Sequence, residues 1–101
     1  RRLRRYVMSD AKRIAVRLHG RVQGVGFRWW CARTAKGLGV IGDVRNLDDG
    51  TVEVRAAGGS DVLERFRQRL ADGPPMARVD QIEEFELPEL ELPVAGFDIV
   101  R

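Results

Sequence analysis

The chain contains few of the residues that form disulfides or metal sites. Among its 101 residues there is one cysteine, Cys31, and one histidine, His19. A lone cysteine excludes an intramolecular disulfide and is typical of proteins from a reducing compartment. Neither residue lies in a metal-binding or nucleophile–base motif. We therefore expect a cytoplasmic protein that folds without a disulfide or a metal ion.

Long apolar segments are also missing. No stretch approaches the roughly 20 apolar residues that a membrane-spanning helix needs, and no secretory segment stands near the start. Hydrophobic residues make up 44% of the chain and charged residues 33%, which is typical of a globular domain in water. A chain of this length forms one domain and buries about 60–70% of its unfolded surface. We expect no membrane partner.

The excess of positive charge is concentrated in a short segment. The formal net charge is +3, but four arginines stand ahead of Met8, and without them 14 basic residues face 15 acidic ones. We interpret Met8 as the natural start and expect residues 1–11 to be a disordered or cloning-derived extension. The basic signal for nucleic-acid binding largely disappears with these arginines. We therefore expect no nucleic-acid partner.

Residues 20–28, with the sequence GRVQGVGFR, form the most informative stretch. They connect an alternating apolar run to a segment with helical spacing. Such a loop exposes backbone N–H groups at the positive end of a helix, which suits an anion such as phosphate. The planar fork of Arg28 could hold two phosphate oxygens. The alternative is a tight turn whose glycines only permit positive φ; the spacing fits neither a Walker A loop nor a dinucleotide fingerprint.

Apolar periodicity predicts the order β-α-β-β-α-β with a short terminal strand. Strands are expected at about residues 12–19, 41–47, 51–57, 78–87 and 97–101, and helices at 27–38 and 61–72. Asp61 and Glu64 resemble a capping box at the second helix, and Pro88 and Pro93 confine their stretch to a loop or edge. Two right-handed β-α-β crossovers around a hairpin give an α+β ferredoxin-like sandwich, an antiparallel sheet with two helices on one face.

Two separated motifs, at residues 20–28 and 42–52, closely resemble the acylphosphatase family. The likeness extends to residues 96–99 and defines an acylphosphatase-like domain over 12–101. It implies a hydrolase that splits acyl phosphates into a carboxylate and inorganic phosphate, without metal or organic cofactor. The implied partner is a small-molecule acyl phosphate such as acetyl or carbamoyl phosphate. We expect the protein to be a monomer.

The resemblance also implies roles for individual residues. It places the water-positioning asparagine at Asn46 and a phosphate-binding guanidinium at Arg28. The implied backbone donors to phosphate are Gln23, Gly24, Val25, Gly26, Phe27 and Arg28. Arg28 could instead form a surface ion pair, but an arginine at a helix start opposes the dipole and calls for an anion. Asn46 could instead be a turn residue, but it precedes the turn signal at 48–50.

Five other residues concern the surface, the core and local packing. We expect His19 to make a polar surface contact, with catalysis as the alternative, and Cys31 to be a buried thiol. Of Trp29 and Trp30, one should pack and the other remain partly exposed. Asp43 departs from the family pattern, since many relatives carry an aromatic residue there, and this departure affects local packing or the contact with the acyl group.

Two other functions compete with hydrolysis. The acylphosphatase-like module of hydrogenase-maturation carbamoyltransferases handles carbamoyl phosphate, but it opens longer chains that carry zinc-binding cysteine motifs. RNA-recognition domains share the element order and stack bases on sheet aromatics. The predicted strand at residues 51–57 contains no aromatic residue, which removes that stacking platform. Hydrolysis of an acyl phosphate is the function that the sequence favours.

Overall fold

The computed structural model describes residues 11–86, 92 and 95–101. Its elements are β1 (Ala11–Arg21), α1 (Phe27–Leu38), β2 (Ile41–Asn46), β3 (Val52–Gly59), α2 (Ser60–Asp72), β4 (Arg78–Glu86) and β5 (Phe97–Val100). Ala11, assigned to the extension from sequence, begins β1. The expectations for residues 1–10, Leu87, Pro88 and Pro93 lie outside the described residues. Neither described helix is long and apolar enough to cross a membrane.

The strands form one sheet in the order β4-β1-β3-β2-β5. Strand β3 lies antiparallel between β1 and β2, and β4 pairs antiparallel with the other edge of β1. This is the ferredoxin-like arrangement predicted from the element order. Strand β5 differs from the expected antiparallel sheet, because it pairs parallel to β2 and makes the sheet mixed. Periodicity identifies a strand but does not identify its partner.

The core lies between one face of the sheet and the two helices. The inward positions of β1 and β3 alternate as predicted, and α1 and α2 each bury one apolar stripe. The buried side chains are Ile14, Val16, Leu18, Val52, Val54 and Ala56 from these strands, and Phe27, Cys31, Ala35, Leu63, Phe66 and Leu70 from the helices. Phe66 of α2 packs edge-on against Phe97 of β5, with ring centroids 5.9 Å apart. The core therefore joins β5 to the helical layer.

The start of α2 corrects the predicted capping box. The helix begins at Ser60, and its N-cap is Gly59, which makes no side-chain capping hydrogen bond. Because β3 extends through Gly59 directly into the helix, Asp61 lies inside the first turn and cannot cap it. The acidic side chain still lies near the positive end of the helix, where a negative charge is favourable.

The sheet face opposite the helices carries paired charges. Asp43 is 5% exposed and lies opposite Arg55 in the β2–β3 register. The guanidinium of Arg55 donates two hydrogen bonds to this carboxylate, at 2.8 and 2.5 Å. Asp43 and Arg55 thus form a fork-to-fork ion pair. Strand β3 also presents Glu53 here, 3.5 Å from Nε of Arg17.

Candidate active site

The loop between β1 and α1, residues 22–26 (the glycine loop), turns through two left-handed residues. Gly24 has φ 76° and Gly26 has φ 77°, values that a glycine adopts without steric cost. A Cβ at either position would meet open space, so the requirement for glycine is conformational. Turn conformations of this kind direct successive N–H groups toward one concave side, which is a common anion-binding geometry.

The first turn of α1 leaves backbone donors without acceptors. Gly26 is the N-cap, and its carbonyl accepts the N–H of Trp30 at 3.1 Å. The N–H groups of Phe27, Arg28 and Trp29 precede that bond, so they have no partner within the helix. The first turn holds no acidic side chain. The positive end of α1 is therefore available to an external anion.

Arg28 lies at the second position of α1 and is half-buried. Its Nη1 donates to the backbone carbonyl of Val100 in β5 across 3.4 Å, which is longer than a strong hydrogen bond. Within the described ranges no carboxylate lies within ion-pair distance of its guanidinium. The surface ion pair considered from sequence therefore has no partner in the part of the chain that is described.

Asn46 ends β2, opposite Val52 in the register, and lies on the same strand face as the core residue Val44. The turn that follows is formed by other residues: the N–H of Gly50 donates to Leu47 at 3.1 Å. Asn46 is thus a strand residue rather than a turn residue. No hydrogen bond of its carboxamide to another described residue is found.

Asp49 organises that turn. Its Oδ1 accepts the Thr51 hydroxyl at 2.6 Å and the Thr51 N–H at 3.0 Å. These hydrogen bonds from Thr51 hold the pKa of the Asp49 carboxyl below its usual range, because they stabilise the charged form. The turn therefore satisfies its own polar groups and places no structural demand on Asn46.

The side chain of Gln23 ties the glycine loop to the β2–β3 hairpin. Its Nε2 donates to the carbonyls of Leu47 and Thr51, each at 2.8 Å. Both amide protons are used, and the two acceptors lie at the two ends of the turn, Leu47 directly after Asn46 and Thr51 directly before Val52. Sequence reasoning considered only the backbone N–H of Gln23. Nothing in the sequence pattern signals the side-chain contacts, because the acceptors are backbone carbonyls 24 and 28 residues away.

A cavity of about 210 Å³ (the site cavity) lies where the glycine loop, α1, β2 and β5 meet. Its lining residues are Val22, Gly24, Gly26, Phe27, Arg28, Trp29, Asn46 and Ile99. The fold therefore brings Arg28 and Asn46, which are far apart in sequence, to one cavity with three of the predicted loop residues. The side chains of Gln23 and Val25 do not line it, and Val25 packs against the core. The apolar lining residues Val22, Trp29 and Ile99 were not predicted as part of the site. For Ile99 a signal was available, because alternation along the strand places it on the same face as Phe97.

Of the remaining candidates, His19, Cys31 and Trp30 do not line the site cavity. His19 contacts Glu83 of β4, which confirms the expected polar contact. Cys31 is buried, and burial raises the pKa of its thiol far above the ordinary value, so it is not a reactive thiolate. Trp30 packs edge-on against Phe27, with centroids 5.3 Å apart, while Trp29 is exposed. Among the described residues no group of three or more His, Cys, Asp or Glu could hold a metal ion.

Comparisons with known proteins agree with this geometry. A family model described as acylphosphatase matches residues 14–99. An acylphosphatase of Thermococcus kodakarensis is 47% identical over 89 residues, covering 87% of this chain and 94% of that protein. The structure of an acylphosphatase from Coxiella burnetii superposes with a TM-score of 0.84 at 31% identity, covering 92% of this chain and 96% of that one.

A similar region occurs in a larger protein. The crystal structure of HypF from T. kodakarensis superposes with a TM-score of 0.75 at 34% identity, covering 87% of this chain and 12% of that one. That likeness concerns one segment of HypF, whereas the T. kodakarensis and C. burnetii acylphosphatases match over nearly their whole length. The family model, the sequence relative and the shared fold lead to the same assignment: this chain belongs to the acylphosphatase family of enzymes.

Proposed function

We propose that this chain hydrolyses acyl phosphates at the site cavity. The phosphoryl group is held by the backbone N–H groups of residues 23–28 and by the guanidinium of Arg28, and the attacking water is held by Asn46. The observation that carries the proposal is the meeting of free helix-start donors, Arg28 and Asn46 around one cavity of about 210 Å³.

The donors suit the charge of the reaction. Phosphoryl transfer passes through a loose transition state in which negative charge is spread over the equatorial oxygens. Fixed N–H groups at the start of α1 and the fork of Arg28 meet that charge without rearrangement, and such preorganised donors are a large source of catalysis. An acyl phosphate has a good carboxylate leaving group, so positioning and charge stabilisation suffice.

Asn46 supports the attack by water. Its carboxamide has a donor and an acceptor and can orient a water molecule toward phosphorus. The water oxygen bonds to phosphorus while the bond to the acyl oxygen breaks, and the carboxylate leaves with the electron pair. The proton passes to an oxygen of the substrate phosphate. The lining residues of the site cavity include no His, Cys, Asp or Glu to take it instead.

The proposed mechanism requires neither a metal ion nor an organic cofactor, because the helix start and Arg28 supply the positive charge that phosphate needs. The substrate is a small molecule, and we propose that the protein acts as a cytoplasmic monomer. The opposite sheet face gives no support to RNA binding. Its central strand β3 presents Glu53 and Arg55, whose charges are paired with neighbouring side chains.

The test measures inorganic phosphate released from acetyl phosphate and from benzoyl phosphate with a chelator present. We expect Arg28→Ala to lower kcat by about 10²- to 10³-fold or more, since one preorganised donor contributes that much. Asn46→Ala should also lower kcat strongly. Arg65→Ala is the matched control, because Arg65 is an exposed arginine on α2 and does not line the site cavity. Hydrolysis that depends on added metal, or that survives in both site variants, would overturn the proposal.

A further inference from the structure

Two exposed apolar side chains line the site cavity. Among the described residues five large apolar side chains are exposed, and two of them, Trp29 (59%) and Ile99 (44%), line this cavity. An exposed tryptophan on a helix gains nothing from the core, and apolar side chains gathered at a concave site are typical of ligand contacts. The phosphoryl group has no need of apolar partners. The acyl part of the substrate does.

Trp29 and Ile99 belong to different elements that meet at the cavity. Trp29 is the third residue of α1, directly after Arg28. Ile99 lies opposite Val44 in the parallel β2–β5 register, so it is on the strand face of Val44 and Asn46. The two apolar side chains are therefore positioned by the elements that carry the two proposed catalytic groups. A substrate bound through its phosphate at Arg28 brings its acyl group within their reach.

Arg33 restrains the indole ring. Its guanidinium carbon lies 4.8 Å from the centroid of the Trp29 ring, one helical turn farther along α1. Such a cation–π contact is favourable even at an exposed site. This contact favours one orientation of the ring, and ordering the ring before binding lowers the entropic cost of binding.

A second cavity also borders Trp29. It measures about 360 Å³ and is lined by Trp29, Trp30, Arg33, Thr34, Gly37, Leu38 and Arg69. Trp29 lines both cavities. An acyl group larger than acetyl thus finds room along the indole ring. A two-carbon acyl group would leave most of this apolar surface in water.

We infer that Trp29 and Ile99 form an acyl-group subsite that favours acyl phosphates with a bulky apolar or aromatic acyl group over acetyl and carbamoyl phosphate. This inference rests on the proposed function, because it takes the phosphoryl group to bind at Arg28. In a closed hydrophobic pocket, two substrates that differ by one methylene group differ in kcat/KM by about 10- to 200-fold. Since this subsite is open to solvent, we expect an effect near the lower end, about 10-fold.

The experiment compares kcat/KM for benzoyl phosphate and acetyl phosphate in the wild type and in variants. For each variant, kcat/KM for benzoyl phosphate is divided by kcat/KM for acetyl phosphate, and this ratio is compared with the wild-type ratio. The comparison cancels the difference in intrinsic reactivity between the two substrates. Trp29→Ala should lower the ratio about 10-fold, Ile99→Ala should lower it less, and Trp29→Phe should retain most of it. Trp29→Gln is a second truncation of the ring that keeps a side chain of good helix propensity.

Phe85→Ala is the matched control. Phe85 is an exposed aromatic residue with an arginine over its ring, Arg17, at 5.2 Å, and it does not line either cavity. Its ratio should equal the wild-type ratio. An unchanged ratio in Trp29→Ala and Trp29→Gln, with acetyl phosphate still hydrolysed, overturns the acyl-group subsite alone. A folded wild type that hydrolyses neither substrate overturns the proposed function and the subsite with it.

Discussion

The two helices of this domain begin in contrasting ways. Each follows a strand, and each has a glycine as its N-cap without a side-chain capping bond: Gly26 before α1 and Gly59 before α2. At the second helical position α2 carries Asp61, whereas α1 carries Arg28. A carboxylate there complements the positive helix end, and a guanidinium opposes it.

The backbone before each helix differs as well. Gly59 is extended, with φ −68° and ψ 156°, and β3 runs straight into α2. Gly26 is left-handed, and the glycine loop separates β1 from α1. The start of α2 is therefore stabilised by the chain's own acidic residue, while the start of α1 is open and borders the site cavity. The difference teaches that α1 gives up local stability where an anionic ligand can supply the missing charge.

The largest effect on activity is expected when the first turn of α1 is given the acidic residue that α2 has there. Arg28→Asp places a carboxylate at the position that Asp61 occupies in α2. It removes the phosphate-binding fork and adds a like charge beside the phosphoryl group, so we expect kcat/KM to fall more than 10³-fold, beyond the loss of one donor. The helix itself should gain about 0.3–1 kcal/mol from the favourable charge, offset by the lost contact to Val100. Phosphate release and urea unfolding measure the two effects.

Arg28→Asp is informative because activity is expected to fall while the stability of the helix is expected to rise. A loss of activity that accompanies unfolding would show only that Arg28 supports the fold. If Arg28→Asp is as stable as the wild type and retains activity within 10-fold, the start of α1 does not bind the phosphoryl group. Arg28→Ala separates the added repulsion from the lost donor.

Loss of the Gln23 side-chain hydrogen bonds should have an intermediate effect on activity and stability. These hydrogen bonds tie the glycine loop before α1 to the β2–β3 hairpin. Gln23→Met keeps the side-chain length but removes the two donors to Leu47 and Thr51. Each carbonyl keeps one backbone hydrogen bond, from Gly50 N–H to Leu47 and from Leu47 N–H to Thr51, so the free energy of unfolding should fall by about 0.5–1.5 kcal/mol for each hydrogen bond lost. Because the glycine loop then moves relative to Asn46, kcat should fall about 10-fold, a modest share of the loss that misplacement by 1 Å can cause. The inhibition constant for inorganic phosphate should remain near the wild-type value, since Arg28 and its helix are untouched.

Gln68→Met is the control for this change. Gln68 is exposed on α2, so neither stability nor kcat should move appreciably. If Gln23→Met lowers stability but leaves kcat unchanged, the side chain of Gln23 supports the fold alone. A parallel loss of phosphate affinity would mean that it shapes the glycine loop itself and not the distance to Asn46.

Local features of the fold could be predicted from the sequence. Helix α1 has the predicted bounds of residues 27–38, because its apolar spacing and the glycines at both ends are contained in one short stretch. Val52, Val54 and Ala56 alternate inward on β3 as expected. The capping box at Asp61 was wrong, since the motif cannot show that β3 continues to Gly59 and that the helix begins at Ser60.

Contacts between distant elements could not be predicted. The pairing of Asp43 with Arg55 depends on the β2–β3 register, and the parallel addition of β5 depends on which sheet edge is free. In the site, the two sequence motifs indicated Arg28 and Asn46 as functional residues, and the fold brings both to one cavity. Their chemical roles stay predictions. The apolar contributions of Trp29 and Ile99 emerge only when α1 and β5 are placed side by side.

The smallest effect is expected from the reciprocal change in α2. Asp61→Arg gives this helix the charge that α1 has, at an exposed position outside the site cavity. We expect the free energy of unfolding to fall by about 0.3–1 kcal/mol from the helix dipole, plus a few tenths from repulsion with Arg65 one turn away. Asp61→Asn removes the charge without that repulsion and should cost less. Activity should be unchanged in both, because Asp61 does not line the site cavity. A fall in kcat with either variant would mean that the two helix starts are coupled, and that the contrast between them is not local.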